Sequence, residues 1–533
     1  MSKSRSDWER GLDASTEAAS PRQSRLSELK VPALTVLAHP DLRRVGDRVL
    51  LPKLSSGRAV PLSRLTPLFA PPAGGAPRPL ADTHLSRTPV QLAPGNQPGS
   101  VRVATKANGC RLDVLGVGLE EEISAAGLER GVVLLLADRV ALLLHLMPAA
   151  QSRESERFGL IGDSAAVVSL CLEIRRIAGR STPVLLRGET GTGKELVAQA
   201  IHQAGPRRAR PYLAINLGAV PPALAAAELF GAARGAYTGA DRRRAGYFER
   251  ADSGTLFLDE IGEAPPDVQA LLLRALENGE IQPVGSEAPQ KTDVRVMAAT
   301  DADLDAAVAQ GRFRAPLLHR LRGCEIRLPP LRERRDDVGR LALYFLRQEL
   351  AAMEEERLLD DRGPGREPWW LARLVARLAL YDWPGNVREL RNVVRRIAMD
   401  SSDLEQARIS PAVEQALASN VAQGPQIELA ERPAPRPRAA YRPISDVAED
   451  ELLGALRASH WNLADAAARL RVSRTSLYAL VERQGGIRKA SELSREEIAD
   501  ALERAGGDLD AAADHLRVSP HGLKIRKTGL GMD

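Results

Sequence analysis

An apolar strand, Val184 to Leu186, runs into Gly188, Glu189, Thr190, Gly191, Thr192, Gly193 and Lys194, and then into a stretch of good helix formers. Residues in that order suit a polyphosphate: the glycines let backbone N–H groups converge on it, the helix N-terminus adds positive potential, and Lys194 reaches the β- and γ-phosphate oxygens. The Ser or Thr that usually follows such a lysine is replaced by Glu195. A second strand, Thr255 to Leu258, delivers Asp259 and Glu260. These carboxylates suit two jobs, Asp259 as the oxygen ligand of Mg²⁺ and Glu260 as the group that polarises an attacking water. A third strand, Val294 to Ala298, leads to Thr300-Asp301, a place from which a γ-phosphate can be sensed. Asp336 and Asp337 read only as a solvated face.

Strands alternating with helical stretches, as a nucleotide-binding α/β domain requires, must bring those ends together, and the chain has room for it. Its 533 residues predict three or four domains. Hydrophobic residues at 44% and charged residues at 27% exclude a wholly disordered chain or a fibrous repeat. Cys110, Cys171 and Cys324 lie far apart, which excludes a disulfide framework and a cysteine-based zinc site and agrees with a reducing cytosol. The N-terminus has no apolar core for a signal peptide, and the greasiest stretch, Val132 to Met147, is interrupted by Asp138 and Arg139, so it reads as two short buried strands. A cytoplasmic protein with no membrane contact is expected. Net charge is +5, with nine lysines against 65 arginines, a bias that reflects genome composition. Residues 441–533 carry 14 basic and 15 acidic groups, so net charge makes no case for nucleic acid there.

Along the chain the pattern changes several times. Residues 1–30 are a polar leader expected to be disordered. From 31 to 148 short apolar runs split by Pro, Gly and Arg predict an all-β sandwich. Strands alternating with helical stretches over 158–345 predict the α/β domain, and 346–420 reads as an Arg-rich helical lid. Residues 421–443 form a Pro-rich linker. The rest is helical and repeats at an offset of 46, with LADAAARLRVS (463–473) over LDAAADHLRVS (509–519). The repeats are placed at 444–488 and 490–533.

The motifs over 158–400 resemble the sigma-54-dependent bacterial enhancer-binding proteins, a branch of the AAA+ ATPases. GETGTGKE is similar to that family's phosphate loop, in which glutamate is normal after the lysine. Gly235, Ala236, Tyr237, Thr238, Gly239 and Ala240 resemble the loop that engages sigma-54, with tyrosine where phenylalanine is usual. GTLFLDEIGE carries Asp259 and Glu260, and Asn216 in LAINLGA resembles the asparagine that holds the catalytic glutamate until ATP is sensed. FRAPLLHRL places Arg314 and Arg320 at the family's trans-acting arginine fingers, LPPLRER (328–334) follows, and WPGNVREL (383–390) puts Arg388 at the second sensor. The resemblance implies ATP and Mg²⁺ as cofactors and a ring, commonly a hexamer, because a finger acts on the neighbouring subunit's nucleotide. Asp301 departs from the family's asparagine and His319 from its more usual aromatic.

Each C-terminal repeat reads as a helix-turn-helix whose last helix enters the major groove, and it resembles the Fis-type domain that ends many enhancer-binding proteins. Arg474, Thr475, Ser476 and Tyr478 are the first copy's DNA-reading candidates, and His521, Lys524, Arg526 and Lys527 the second's. The sandwich resembles a forkhead-associated domain, a fold that binds phosphothreonine peptides. Asp47 stands where that family has its phosphate-gripping arginine, and Pro89 replaces its histidine. Ser86, Arg87 and Asn108 remain, with Arg48 or Arg44 as substitutes for the missing cation.

The fold expected is therefore multidomain: an all-β sandwich, an α/β AAA+ P-loop ATPase with a helical lid, and a duplicated all-α helix-turn-helix. The function expected is transcription regulation, with binding to upstream enhancer DNA and ATP-driven remodelling of sigma-54 RNA polymerase; a phosphothreonine protein is a further candidate partner. Two alternatives stand beside it: an AAA+ remodeller of another protein, and a DNA-binding regulator with a silent ATPase.

Overall fold

Among the described residues of the N-terminal third, the apolar runs form nine strands in the computed structural model: β1 (Lys30–Ala38), β2 (Arg48–Leu50), β3 (Val60–Leu62), β4 (Val90–Pro94), β5 (Val101–Ala104), β6 (Leu112–Leu115), β7 (Glu122–Ile123), β8 (Val132–Leu136) and β9 (Val140–Pro148). The structure describes residues 29–104, 112–115, 122–149, 156–236, 242–360, 367–419, 449–459, 461, 463–470, 472, 477, 493–518 and 520–530. The chain divides into two units, Met1–Gln426 and Ile427–Asp533.

The nine strands make two antiparallel sheets, β2-β1-β9-β8-β6 and β3-β4-β5-β7. Strands β8 and β9 are the Val132 to Met147 stretch, and they are apolar without alternation because both faces are covered. Val132, Leu134, Leu136, Val140, Leu142 and Leu144 point into the sandwich core with Leu34, Val36 and Phe69. Their neighbours Val133, Leu135, Ala141 and Leu143 point the other way, into a core shared with the lid. A strand with two buried faces loses the period-2 pattern that a half-exposed strand keeps.

The α/β layer is a parallel sheet in the order β11-β12-β15-β10-β16, built from β10 (Val184–Arg187), β11 (Tyr212–Asn216), β12 (Thr255–Asp259), β15 (Arg295–Thr300) and β16 (Cys324–Arg327). A short hairpin, β13 (Glu280–Ile281) and β14 (Gln290–Lys291), lies between β12 and β15 in sequence. Register aligns Asn216 with Asp259 and Arg187 with Thr300, so the loops after β10, β11, β12 and β15 leave at one carboxyl edge. Ligands of open parallel sheets bind at that edge.

Helices Val338–Ala352, Ala372–Leu380 and Asn386–Ser401 form the lid. Leu341, Ala342, Phe345, Val375, Leu378, Trp383 and Leu390 share one core with Leu37, Val133 and Leu143 of the sandwich. The expected break at 345/346 falls inside helix Val338–Ala352, whose Leu341, Ala342, Leu346 and Leu350 are all in that core. Helix continuity puts the change of layer before 338. The solvated-face reading of Asp336-Asp337 is corrected too: Asp337 is buried, and its Oδ1 accepts the backbone N–H groups of Asp163 at 2.6 Å and Ser164 at 2.9 Å. The buried turn of 163–164 needs an acceptor, and the acid supplies it.

In the C-terminal unit, described by itself, helices run Glu449–Ala458, Leu463–Leu470, Arg495–Arg504, Leu509–Leu516 and Pro520–Gly529. Leu452, Ala466, Ala467, Val472 and Leu477 form one small core, and Ile498, Ala512, Ala513, Val518 and Leu523 form another. Each pair stands at the offset of 46, so the sequence repeat is also a repeat of core positions. Ser494 and Glu497 close a capping box, Asp508 caps the next helix, and Trp461 Nε1 donates to Asp514 Oδ1 at 2.7 Å between the repeats. Among the described residues no helix is long and apolar enough to cross a membrane.

Candidate functional site

The turn after β10 has to fold back sharply, and Gly191 and Gly193 take positive φ of 79° and 102° to do so. Helix Lys194–Gln203 then begins with Gly193 as its N-cap. Lys194 Nζ donates to Gly188 O at 2.8 Å, across the mouth of the loop, and Thr192 Oγ1 ties back to Glu189 O at 2.7 Å. Burial holds the Lys194 ammonium below the usual lysine range, Asp301, Asp259 and Glu260 oppose that shift, and Arg388 reinforces it. One lysine thus feels the ends of two neighbouring strands and of a lid helix.

Glu260 follows β12 in the left-handed region, φ 54°, a conformation that a non-glycine residue adopts only under constraint. That turn carries its carboxylate back toward β11. A Cβ placed on Gly218 would lie 2.1 Å from Glu260 Oε2 and 3.3 Å from Asn216 Oδ1, so both side chains converge over that glycine. Asn216 Oδ1 meanwhile accepts Ala219 N at 3.3 Å. Asp259 Oδ1 accepts Glu260 N at 3.0 Å. Among the described residues no group of three or more His, Cys, Asp or Glu could cage a metal. One carboxylate beside a phosphate loop is nevertheless the donor set that Mg²⁺ uses, with phosphate and water oxygens completing its shell, and Asp259 fits it.

Asp301 Oδ2 accepts Thr190 Oγ1 at 2.6 Å, which puts this acid on the phosphate loop. Glu189 gives its carboxylate to Arg332, whose Nη1 and Nη2 donate to Oε2 at 2.8 Å and Oε1 at 2.6 Å. Glu195 lies in the first turn of its helix, accepting from Gln199 at 3.4 Å. Arg388 stands over the loop, its Cβ 3.1 Å from where a Gly191 side chain would begin. Arg314 and Arg320 are exposed on a different element, helix Ala315–Leu321 and its N-cap, where Arg314 N donates to Gln269 Oε1 at 2.9 Å and Arg320 Nε to Leu276 O at 3.0 Å. Gly235 and Ala236 rise from a base closed by Ala232 and Arg244, which exchange backbone hydrogen bonds at 2.9 Å. Tyr237, Thr238, Gly239 and Ala240 lie outside the described residues, as do Arg474, Thr475, Ser476, Tyr478 and Asn108 and the side chain of His521. Lys524 is exposed; Arg526 is half-buried, its Nε donating to Leu493 O at 3.1 Å, and Lys527 is half-buried.

The sandwich cations correct an expectation. Arg44 is buried: its Nε donates to Asp47 Oδ2 at 2.6 Å and its Nη1 to Pro79 O at 2.7 Å. Arg48 Nη1 donates to Asp163 O at 2.8 Å, and Arg157 and Arg340 pair with the same aspartate. Arg44 does not face an incoming phosphate, because it completes a buried polar cluster of the chain itself, and Arg48 is mostly taken up by Asp163. Ser86 Oγ accepts Thr88 N at 3.0 Å, and Arg87 is exposed.

Sequence reasoning passed over Asn386 and Arg332 although it quoted both motifs that contain them. Asn386 is fully buried at φ 53°, and its Oδ1 accepts Leu331 N at 2.8 Å. An asparagine directly after Pro-Gly was the available signal, since Asn tolerates this conformation.

Residues 160–327 match the model of the sigma-54 interaction domain, and residues 332–424 match the AAA+ ATPase lid domain. The chain is 40% identical over 338 residues to the transcriptional regulatory protein ZraR of Klebsiella oxytoca, covering 63% of this chain and 70% of that one. It is 44% identical over 277 residues to the DNA-binding transcriptional regulator NtrC of Azospirillum brasilense (50% and 55%), and 39% over 354 residues to the regulatory protein LuxO of Vibrio cholerae (64% of each). The matches to NtrC and LuxO thus span a little over half to just under two thirds of those relatives. With its phosphate loop, acid pair and lid assembled in the order those models require, the chain belongs to the family of sigma-54 activators built on an AAA+ domain.

Proposed function

We propose that this protein is a sigma-54-dependent transcription regulator that couples ATP hydrolysis to remodelling of sigma-54 RNA polymerase. The observation that carries the reading is that Asp301 on Thr190 and the strand-end acids Asp259 and Glu260 gather with Lys194 within the matched sigma-54 interaction domain, while Arg388 stands over Gly191 from the matched lid. When bound, Mg²⁺ neutralises charge on the transferring phosphoryl group. Lys194 and the backbone of residues 188–193 hold the phosphates, Asp259 would hold the ion, and Glu260 takes a proton from the attacking water at a carboxylate oxygen, with Asn216 beside it to hold the carboxylate in position. Arg388 reaches the nucleotide from the lid. Arg314 and Arg320, exposed on another element, are assigned to the active site of a neighbouring subunit, so the working form is a ring, a hexamer. Residues 235–240 are assigned as the contact to sigma-54.

The C-terminal repeats are assigned to upstream DNA, each as a helix-turn-helix. Lys524 and Lys527 remain the exposed or half-exposed cations of the last helix, while Arg526 is partly engaged within its own repeat. The forkhead-associated likeness of the sandwich leaves Arg48, Ser86, Arg87 and Asn108 as phosphothreonine candidates, with Arg44 withdrawn from that role.

With ATP and Mg²⁺ the full chain is expected to hydrolyse ATP, and Lys194→Ala or Glu260→Gln to lower the rate by on the order of 100-fold or more. Thr238→Ala is expected to keep hydrolysis while losing binding to sigma-54 in the presence of a transition-state mimic. Hydrolysis without any sigma-54 binding by the unaltered chain would assign it instead to remodelling of another protein. An inert chain that still binds DNA would leave a regulator with a silent ATPase.

A further inference from the structure

The second residue of the phosphate loop is an acid, and an acid has no obvious place in a cradle for anions. Its surroundings explain it. Both oxygens of Glu189 are gripped by the fork of Arg332, a bidentate geometry that fixes direction as well as charge. Glu189 Oε2 also accepts Asn386 Nδ2 at 3.1 Å, and the same amide nitrogen donates to Thr190 O at 3.0 Å. Val387 N donates to Gly191 O at 3.0 Å, and a side chain at Gly191 would begin 2.2 Å from Gly385 O. Three consecutive loop residues are thus held by residues 385–387, where lid helix Asn386–Ser401 begins. Asn386 Oδ1 reaches the third segment by accepting Leu331 N, next to Arg332.

We propose that Arg332, Glu189 and Asn386 are positioning residues for the nucleotide site: they staple the phosphate loop to the first turn of the lid and hold the Glu189 carboxylate off the phosphates. The proposal rests on the ATP-binding reading of the loop. Arg332 keeps the Glu189 carboxyl below the usual carboxylate range, so this acid is charged at neutral pH and needs its partner. Two consequences follow from the connectivity. A lid that turns must carry residues 189–191 with it, which gives the lid a direct mechanical hold on the site. Loss of Arg332 alone leaves an uncompensated anion on the loop, whereas loss of the carboxylate together with the arginine does not.

That asymmetry is the test. ATP is titrated into the full-length chain, and the Kd compared for wild type, Arg332→Gln, Glu189→Gln, the double variant and Arg332→Lys. Arg332→Gln is expected to weaken ATP binding about tenfold, the scale of a lost charge-assisted fork plus a freed like charge. Glu189→Gln should weaken it less, the double variant should lie closer to wild type than Arg332→Gln does, and Arg332→Lys should fall between. A Kd for Arg332→Gln within twofold of wild type overturns the proposal, as does a double variant no better than the arginine variant alone. Wild-type hydrolysis, measured on the same preparations, reports separately on the parent reading, since a chain that binds ATP without cleaving it leaves the ratio of Kd values intact.

Discussion

Two places in this chain have the residue types to grip a phosphate, the loop after β10 and the sandwich with its arginines, and their cations are used in opposite ways. At the loop, Lys194 Nζ donates to the backbone carbonyls of Gly188 and Glu189, at 2.8 and 3.4 Å. In the sandwich, Arg44 faces its own carboxylate three residues on, with side-chain exposures of 5% and 1% for the pair, and Arg48 closes the junction with Asp163. A cation serves a ligand only when the ligand is its best available partner. One residue decides it in the sandwich: Asp47 makes Arg44 half of an internal ion pair.

The sharpest way to break this contrast is a pair of alanine variants read in both assays. Lys194→Ala should abolish hydrolysis while leaving the unfolding midpoint of the chain nearly unchanged, because its hydrogen bonds are to backbone carbonyls of a surface loop. Arg44→Ala should do the reverse. It leaves Asp47 as a buried charge with only Arg78 at 3.6 Å, and removing one partner of a buried pair costs about 3–5 kcal/mol. Denaturant unfolding followed beside ATPase rates gives both numbers, and an Arg44→Ala chain of normal stability would return this arginine to the ligand-binding candidates.

The contrast also marks what could be read from sequence. The α/β layer was legible because strand, glycine turn and helix follow one another within some twenty residues, and because its acids stand at strand ends. The sandwich strands were legible as apolar runs, but their lack of alternation in β8 and β9 was the trace of a second covered face, and only the packing on the lid says what covers it. Asp337 looked like surface because its neighbours Arg334 to Asp336 are charged. Its partners, the N–H groups of Asp163 and Ser164, are more than 170 positions away, a distance over which no pattern in one sequence reports. Asn386 was missed for the opposite reason: the motif around it was seen, and the arginine two residues on drew the assignment.

A smaller effect separates the two regions by pH. His145 is buried in β9 against Thr35 Oγ1 at 2.9 Å, and burial pushes its pKa down to about 3 from an ordinary 6.5, with Arg48 adding to the shift. Below 6.5 the unfolded chain binds this proton and the folded chain does not, so stability falls as pH drops from 6.5 toward 3 and is independent of His145 above that window. The slope is up to about 1.4 kcal/mol per pH unit. His39 is shifted in the same direction by burial, so His145→Gln should remove part of the acid sensitivity between pH 6.5 and 4.5 and not all of it. An unchanged pH profile in this variant would mean that the sandwich is not where acid acts first.

The smallest expected effect comes from the neighbour of Arg44. Arg43 pairs with Asp41 at 2.9 Å, a shorter separation than many ion pairs achieve, yet its side chain is 83% exposed. Water screens the attraction and the long side chain loses rotamer freedom in holding one geometry, so such pairs contribute about 0–1 kcal/mol. Asp41 keeps its other task, accepting Arg43 N at 3.1 Å as the cap of the short turn Leu42–Arg44, whichever side chain stands at 43. Arg43→Ala should therefore shift stability by less than about 0.5 kcal/mol, against the several expected one residue later. If the two arginines gave equal losses, distance within the pair, and not burial, would be what sets the value of a cation in this sandwich.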